Sequence, residues 1–281
     1  MSKKEIREII VTGGTGFIGR NIVPALVLLG YKLCLITRNK QNCANLFSSL
    51  PVEIVEWDIN HGVPEISLSN PKTLLHLAWQ GLPNYNSVHH IEENFINSYS
   101  FIKGCINNLG ITSVVASGTC LEYGMKSGCL RVDERCDPIT SYGLAKHFLH
   151  KSLLLLQNEK AFNLAWARLF YMTGKGQSPN SIIPQLDQAI DQNDLYFNMS
   201  GGEQVRDYLS IEQVIDDLST LITLRSNGTF NICSGTPISV RRLVENRIAE
   251  RRSRIALNLG FYPYLKYEPF TFWGNRNIPE K

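Results

Sequence analysis

The chain has no apolar run approaching the ~20 residues that a membrane-spanning helix needs, which argues against a membrane protein. It opens with no apolar leader: Met1-Ser2-Lys3-Lys4-Glu5 passes straight into the apolar Ile9-Ile10-Val11. Export is therefore not expected, and a cytoplasmic location is. No C-x-x-C pair occurs, and the seven cysteines (Cys34, Cys43, Cys105, Cys120, Cys129, Cys136 and Cys233) are odd in number. That pattern argues against a disulfide framework and a zinc site and predicts reduced thiols and no metal. Charge is also scarce. Charged residues make up 19% of the 281 positions, and the net charge of +3 is too small to imply a nucleic-acid partner. The one dense basic group, Arg247, Arg251, Arg252 and Arg254, falls on an expected helix and reads as a solvated face. There is no internal repeat and no low-complexity stretch. What is present is a 43% apolar sequence, enough for a globular core.

The apolar residues come in short runs separated by segments of helical period. Expected strands are Ile9–Thr12, Leu33–Thr37, Val52–Trp57, Thr73–Leu77, Ser113–Ala116 and Leu164–Ala167. Between the fourth and fifth, Phe95, Tyr99, Ile102, Ile106 and Leu109 recur at spacings of 4 and 3, the signature of a helix with one apolar face. Strands alternating with such helices predict an α/β fold with a doubly wound parallel sheet. From about Tyr171 the alternation loosens, and Gly and Pro punctuate Gly174–Pro184 and Gly235–Pro237. Two units are expected: a dinucleotide-binding domain over 1–170, and a smaller substrate-binding lobe over 171–281 with segments returning to the main sheet.

The first strand runs into Thr12-Gly13-Gly14-Thr15-Gly16-Phe17-Ile18-Gly19, and an amphipathic stretch follows. Glycines at 13, 16 and 19 permit a tight turn and let backbone N–H groups approach a pyrophosphate at a helix N-terminus. The G-x-x-G-x-x-G spacing resembles the short-chain dehydrogenase/reductase family, in particular its extended branch, which implies a Rossmann-type fold and a nicotinamide dinucleotide. Where an acidic residue would bind the ribose diol of NAD, the sequence reads Leu35-Ile36-Thr37-Arg38-Asn39-Lys40. Arg38 can hold a 2′-phosphate, so NADP(H) is the expected cofactor. By the same resemblance Asp58 and Ile59 lie beside the adenine, and Leu77, Ala78 and Trp79 line the cofactor's central part. His76, inside an apolar strand, reads as a packed core residue.

Tyr142-Gly143-Leu144-Ala145-Lys146 places a tyrosine and a lysine on one helical face. It follows Ser117-Gly118-Thr119-Cys120-Leu121-Glu122-Tyr123-Gly124, at a strand end. The order resembles the family's catalytic triad, with Thr119 in the serine/threonine position. Reducing a ketone requires a hydride on carbon and a proton on oxygen. Tyr142 would be the acid, Lys146 would favour the ionised phenol and bind the nicotinamide ribose, and Thr119 would hydrogen-bond the developing alkoxide.

Further segments narrow the resemblance. Ala167 to Gln177 is similar to the branch's R-x-F-N-x-Y-G-x-G-Q segment, except that Tyr171 replaces the Asn and Thr173 the Tyr. Asn180 begins an N-x-h-h-P segment, and Arg206 lies in an R-D-[FY] segment whose arginine binds diphosphate in the family. The stretches His76 to Tyr85, which includes Asn84 and Tyr85, and Glu268 to Gly274 resemble bacterial nucleotide-sugar 4-ketoreductases. Asn84, Tyr85, Tyr171, Asn180 and Arg206 are therefore expected to contact a nucleotide-sugar substrate.

Three functions compete: an NADPH-dependent reductase of a nucleoside-diphosphate 4-keto-6-deoxyhexose, with dTDP the expected nucleotide; a 4-epimerase with retained cofactor; and a non-catalytic NADP-binding sensor or scaffold. The complete triad weighs against the last, and Arg38 favours the reductase. A dehydratase is disfavoured because Cys120 and Leu121 stand where that class carries an Asp-Glu pair. Two helices carry apolar residues beyond one stripe, Ile96 and Phe101 on one and Leu153 to Leu156 on the other; in the family that the sequence resembles these helices form a dimeric four-helix bundle, so the resemblance implies a homodimer.

Overall fold

A computed structural model describes residues 7–265 and 267–280. Its centre is a seven-stranded parallel sheet. The first three strands, β1 (Glu8–Thr12), β2 (Lys32–Thr37) and β3 (Val52–Glu56), run outward in one direction from β1. The chain then crosses back. It adds β4 (Thr73–His76) on the other side of β1, then β5 (Ser113–Thr119). After β6 (Gly128–Leu130), a short strand outside this sheet, come β7 (Asn163–Leu169) and finally a strand from beyond residue 171, Gly228–Ile232. The reversal between β1 and β4 opens a crevice at the strands' carboxyl ends, where open α/β sheets bind ligands.

Alternation along each strand divides the core. Ile9 and Val11 face one layer, formed with helix α1 (Phe17–Leu28); Ile10 faces the other, formed with α3 (Ile96–Leu109) and α4 (Ser141–Gln157). Helix α2 (Lys40–Leu46) links β2 to β3. Strand β5 runs three residues further than the periodicity implied, which carries Thr119 to the sheet's edge. The helix expected from Phe95 begins at Ile96, preceded by a π-helical turn, His90–Phe95.

Beyond β7 the elements are short: β8 (Tyr171–Thr173), α5 (Ile182–Asp191), β9 (Tyr196–Asn198), β10 (Val205–Ser210), α6 (Ile211–Thr223), β11 (Gly228–Ile232), β12 (Pro237–Ser239), α7 (Val240–Glu250), β13 (Ala256–Asn258) and β14 (Phe272–Gly274). Helix α6 packs on α1, and β11 is the last strand of the main sheet. A separate apolar cluster of Leu186, Phe197, Met199, Val240 and Val244 holds α5, β9 and α7 together.

Two expectations are corrected here. The basic group on α7 is not simply a solvated face. Arg247 grips Asp187 of α5 through two hydrogen bonds of 2.8 Å, and Arg251 donates to the same carboxylate at 2.9 Å. On the helices assigned to a dimer face, Phe101, Leu153 and Leu156 belong to the core, because α3 and α4 pack against each other as well as on the sheet. Ile96, Phe148 and Leu155 are the large apolar side chains left exposed there.

Candidate active site

The glycine loop is built by close approach. Gly13 has φ +72°, and a side chain there would put its Cβ 2.6 Å from the backbone nitrogen of Ala78. A Cβ at Gly19 would lie 2.2 Å from the Gly13 carbonyl oxygen. Gly16 caps α1 without a side-chain hydrogen bond, and the first turn of that helix carries no acidic residue. Free N–H groups and the positive end of the helix dipole thus face the crevice, an arrangement that fits a pyrophosphate. Gly13, Gly16, Leu77, Ala78 and Trp79 line this crevice, as do Arg38, Asp58 and Ile59 at the ends of β2 and β3. Arg38 is exposed and, among the described residues, its guanidinium has no protein partner. Phe17 and Ile18 form the first turn of α1; their side chains pack into the apolar layer beneath, and their backbone N–H groups are among those at the helix N-terminus. Asn94, Asn97 and Ser98 also line the crevice, from the turn and helix opposite.

Thr119 ends β5, and its hydroxyl accepts from the backbone N–H of Leu121 at 3.3 Å. Tyr142 and Lys146 stand one turn apart on α4, started by the Thr140 side chain, which accepts from Gly143 N–H. Tyr142 and Lys146 both pack on Trp79, which lines the crevice, and Thr119 is hydrogen-bonded to Tyr142. Burial pushes the Tyr142 phenol well above its usual range, helped by neighbouring Tyr85 and opposed by a hydrogen bond with Thr119. Lys146 is buried; its ammonium donates to the Ser117 carbonyl at 2.7 Å and to the Ser117 hydroxyl at 3.3 Å. Burial lowers its pKa to about 7, with Glu122 opposing. A neutral phenol is the form that donates a proton to a ketone, and the adjacent ammonium is placed to stabilise the phenolate left behind.

Glu122 was outside the expected site, yet it organises the site's floor. Wholly buried, it accepts from the backbone N–H of Thr119 at 2.9 Å, from Trp166 Nε1 at 2.9 Å and from Arg168 Nε at 3.1 Å. Burial would raise its pKa, but His147, 3.9 Å away, and the charge of Arg168 overcome this and hold the carboxyl near 2. Its signal in sequence was weak: one carboxylate in an otherwise apolar turn. Glu122, Cys136 and His147 bring possible metal-ligand atoms within 4.8 Å of one another. Arg168 already donates to both Glu122 and Cys136 Sγ, at 3.1 and 2.9 Å, and its permanent charge repels a cation there. The set is an ion-pair network.

His76 is fully buried, with Nδ1 hydrogen-bonded to the Thr12 hydroxyl at 2.9 Å, and burial lowers its pKa to about 3. It is a core residue, as its apolar surroundings implied. Tyr85 packs beside Tyr142 at 5.7 Å between ring centroids, and its carbonyl accepts from Tyr142 N–H. Asn84 is exposed on the same loop; its carbonyl takes a hydrogen bond from His90. Asn180 is exposed on the loop leading into α5. Tyr171 packs against Tyr208 and Phe272, and burial, reinforced by Glu268, drives its phenol well above the ordinary range.

Arg206 departs most from expectation. It is buried, and its fork is already engaged: two bonds to Glu268, at 2.9 and 3.3 Å, and one each to the carbonyls of Val205 and Phe270. A guanidinium so enclosed is part of the lobe's framework in this conformation. Glu268 lies 62 residues away in sequence, so no local pattern announced the pair.

A parallel sheet with a glycine loop at its switch point defines a Rossmann-type fold, and a Thr-Tyr-Lys cluster lies beside the crevice-lining Trp79. Residues 9–233 match the NAD dependent epimerase/dehydratase family, and the chain belongs to it. It is 32% identical over 271 residues to a dTDP-6-deoxy-L-talose 4-dehydrogenase (NAD(+)) of Aggregatibacter actinomycetemcomitans, covering 95% of this chain and 99% of the relative. It is 26% identical over 255 residues to a dTDP-4-dehydro-6-deoxyglucose reductase of Escherichia coli, covering 84% and 80%. Among solved structures, MoeE5 in complex with UDP-glucuronic acid and NAD shares the fold, with a TM-score of 0.78, 22% identity, and coverage of 96% of this chain and 90% of that one.

Proposed function

We propose that this protein is a reductase that uses NADPH to convert a nucleoside-diphosphate 4-keto-6-deoxyhexose, with dTDP as the nucleotide, to the corresponding alcohol. The observation that carries the reading is the packing of Tyr142 and Lys146 against Trp79, a residue of the crevice lining, with Thr119 hydrogen-bonded to Tyr142. The substrate class is supported by likeness to a dTDP-6-deoxyhexose 4-dehydrogenase over nearly the full length of both chains. A 4-dehydrogenase and a 4-ketoreductase run one reaction in opposite directions. That relative is named with NAD(+); the free guanidinium of Arg38 at the crevice mouth favours the 2′-phosphorylated cofactor here.

When bound, NADPH supplies the hydride. The residues of this chain do the rest. The glycine loop and the α1 N-terminus hold the pyrophosphate, and Arg38 holds the 2′-phosphate. Thr119 hydrogen-bonds the C4 carbonyl oxygen, Tyr142 passes its phenolic proton to that oxygen as negative charge develops, and Lys146 stabilises the resulting phenolate.

The test is direct. Purified protein and NADPH are incubated with a panel of nucleoside-diphosphate 4-keto-6-deoxyhexoses, following NADPH absorbance and product configuration. Stoichiometric NADPH loss with one alcohol formed is the expected result. Interconversion of two hexoses with no net NADPH loss would make the protein a 4-epimerase, and no turnover with any sugar would leave a binding protein.

A further inference from the structure

The loop from Trp79 to His90 wraps Tyr142 in a way the triad alone does not require. The Trp79 ring covers the Lys146 ammonium, with Nζ 3.9 Å from the ring centroid, and stands edge-on to Tyr142 at 5.9 Å. Ser117 takes the other side of the ammonium, so the indole seals it from water. Trp79 is itself held by His90. Its Nε1–H donates to His90 Nδ1 at 3.1 Å, and Asn94 Nδ2 donates to the same nitrogen at 3.2 Å. A ring nitrogen facing two N–H donors must be an acceptor, which puts the proton of the neutral ring on Nε2, where it donates to the Asn84 carbonyl at 2.8 Å. The His90 ring is buried, stacks along Trp79 and stands edge-on to Tyr142 at 5.4 Å. Gly81 keeps the loop close: a Cβ there would lie 3.3 Å from His90 Cε1.

We infer that His90 is a positioning residue for the proton transfer proposed above: acting through Trp79, it holds the Lys146 ammonium sealed and aligned beside Tyr142. The inference rests on the proposed function for its catalytic half and on the Trp79–His90 contact for its structural half.

The arrangement has a built-in dependence on protonation. A proton on His90 Nδ1 would face the N–H groups of Trp79 and Asn94, three donors with no acceptor, and Trp79 would be released. The groups around His90 oppose that proton: burial first, then the charges of neighbouring His89 and of Lys146 on α4, with the Asn84 carbonyl acting the other way. His89 in turn is within 3.1 Å of Glu93. Lys146 is influenced by Glu122 beneath it and sits beside His76. His90 thus has a folded pKa below its unfolded value. The contact is complete above the ordinary imidazole range of ~6.5 and is lost as pH falls through the folded pKa.

Two measurements on the full chain test this. The first is tryptophan emission against pH for wild type, Trp79→Phe and His90→Gln. Wild type should show a transition with its midpoint below ~6.5, absent in both variants. The second is kinetics with NADPH and the ketosugar that the panel identifies. His90→Phe should lower kcat by roughly 10-fold or more with little change in KM. His90→Gln, which can still accept from Trp79 and donate to Asn84, should keep most of the rate and lose the acid limb of the wild-type kcat profile. The inference is overturned if the emission transition survives in Trp79→Phe, or if His90→Gln is as slow as His90→Phe with an unchanged acid limb. Should His90→Phe fail to fold, the glutamine variant and the emission data still decide. Wild type that reduces no ketosugar overturns the function and the catalytic half together, while the emission arm separately judges whether His90 holds Trp79.

Discussion

The half of the chain up to residue 170 and the lobe beyond it are assembled by different kinds of contact. In the first, neighbours in space are mostly successive elements: β1 pairs with β2, β2 with β3, β4 with β5, and α1 starts at the loop that ends β1. In the second, the decisive contacts join distant segments. Arg206 meets Glu268, Arg247 meets Asp187, and Arg276 meets Asp217 at 2.7 Å. The residues proposed to carry the transfer, Thr119, Tyr142 and Lys146, lie wholly in the first half. The lobe contributes a framework of ion pairs, Arg206–Glu268 buried and the other two part-exposed, and of the packed tyrosines Tyr171 and Tyr208. A fold of this design can keep its reaction while the lobe is rebuilt around a different sugar.

Substitutions can break or sharpen that contrast. The largest effect is expected from Tyr142→Phe, which removes the proton and keeps the ring that packs on Trp79 and Tyr85. Turnover should fall by ~10²–10⁴-fold while binding of NADPH and sugar nucleotide, read by calorimetry, persists. A variant that turns over at the wild-type rate would place the proton donor elsewhere. The next effect concerns stability and belongs to the lobe. Glu268→Ala leaves the buried Arg206 without its carboxylate, a loss of about 3–5 kcal/mol for a broken buried pair. Thermal denaturation should show Tm lowered by several degrees, with Glu268→Gln milder; an unchanged Tm would mean the pair is not structural. The smallest effect returns to the crevice. Arg38→Asp should reverse the cofactor preference, shifting the ratio of NADPH to NADH affinity by roughly 10–100-fold. Wild type that binds NADH more tightly would contradict the role given to Arg38.

The same contrast explains what could be read from sequence. The glycine loop, the strands of the first half and the Tyr142–Lys146 pair are signals confined to a few residues, because a turn, a strand or one helical face is itself local. The boundaries slipped where tertiary contact decides them, as in the three extra residues of β5. Phe101 and Leu153 were read as a second exposed face because periodicity counts apolar positions without saying how many layers cover them. Phe17 and Ile18 belong to the glycine motif through their backbone, while their side chains pack on the core. Glu122, His90 and Glu268 were missed for a common reason. Each has a partner 11 to 62 residues away, Trp79 for His90, Trp166 for Glu122 and Arg206 for Glu268, and a polar residue in sequence does not name so distant a partner.

Asp207 shows what such distant stitching means for the order of assembly. Its buried carboxylate accepts from Ser234 N–H and hydroxyl at 2.7 Å, from Gly235 N–H at 2.9 Å and from Gly274 N–H at 3.2 Å. The last of these closes a loop of 67 residues. On the ribosome the parallel strands β1 to β5 can pair long before Gly274 has been synthesised, whereas the knot at Asp207 cannot be tied until almost the whole chain has emerged. The strands that frame the dinucleotide crevice can therefore pair first, and the junction of β10, β11 and β14 at Asp207 is the last to close.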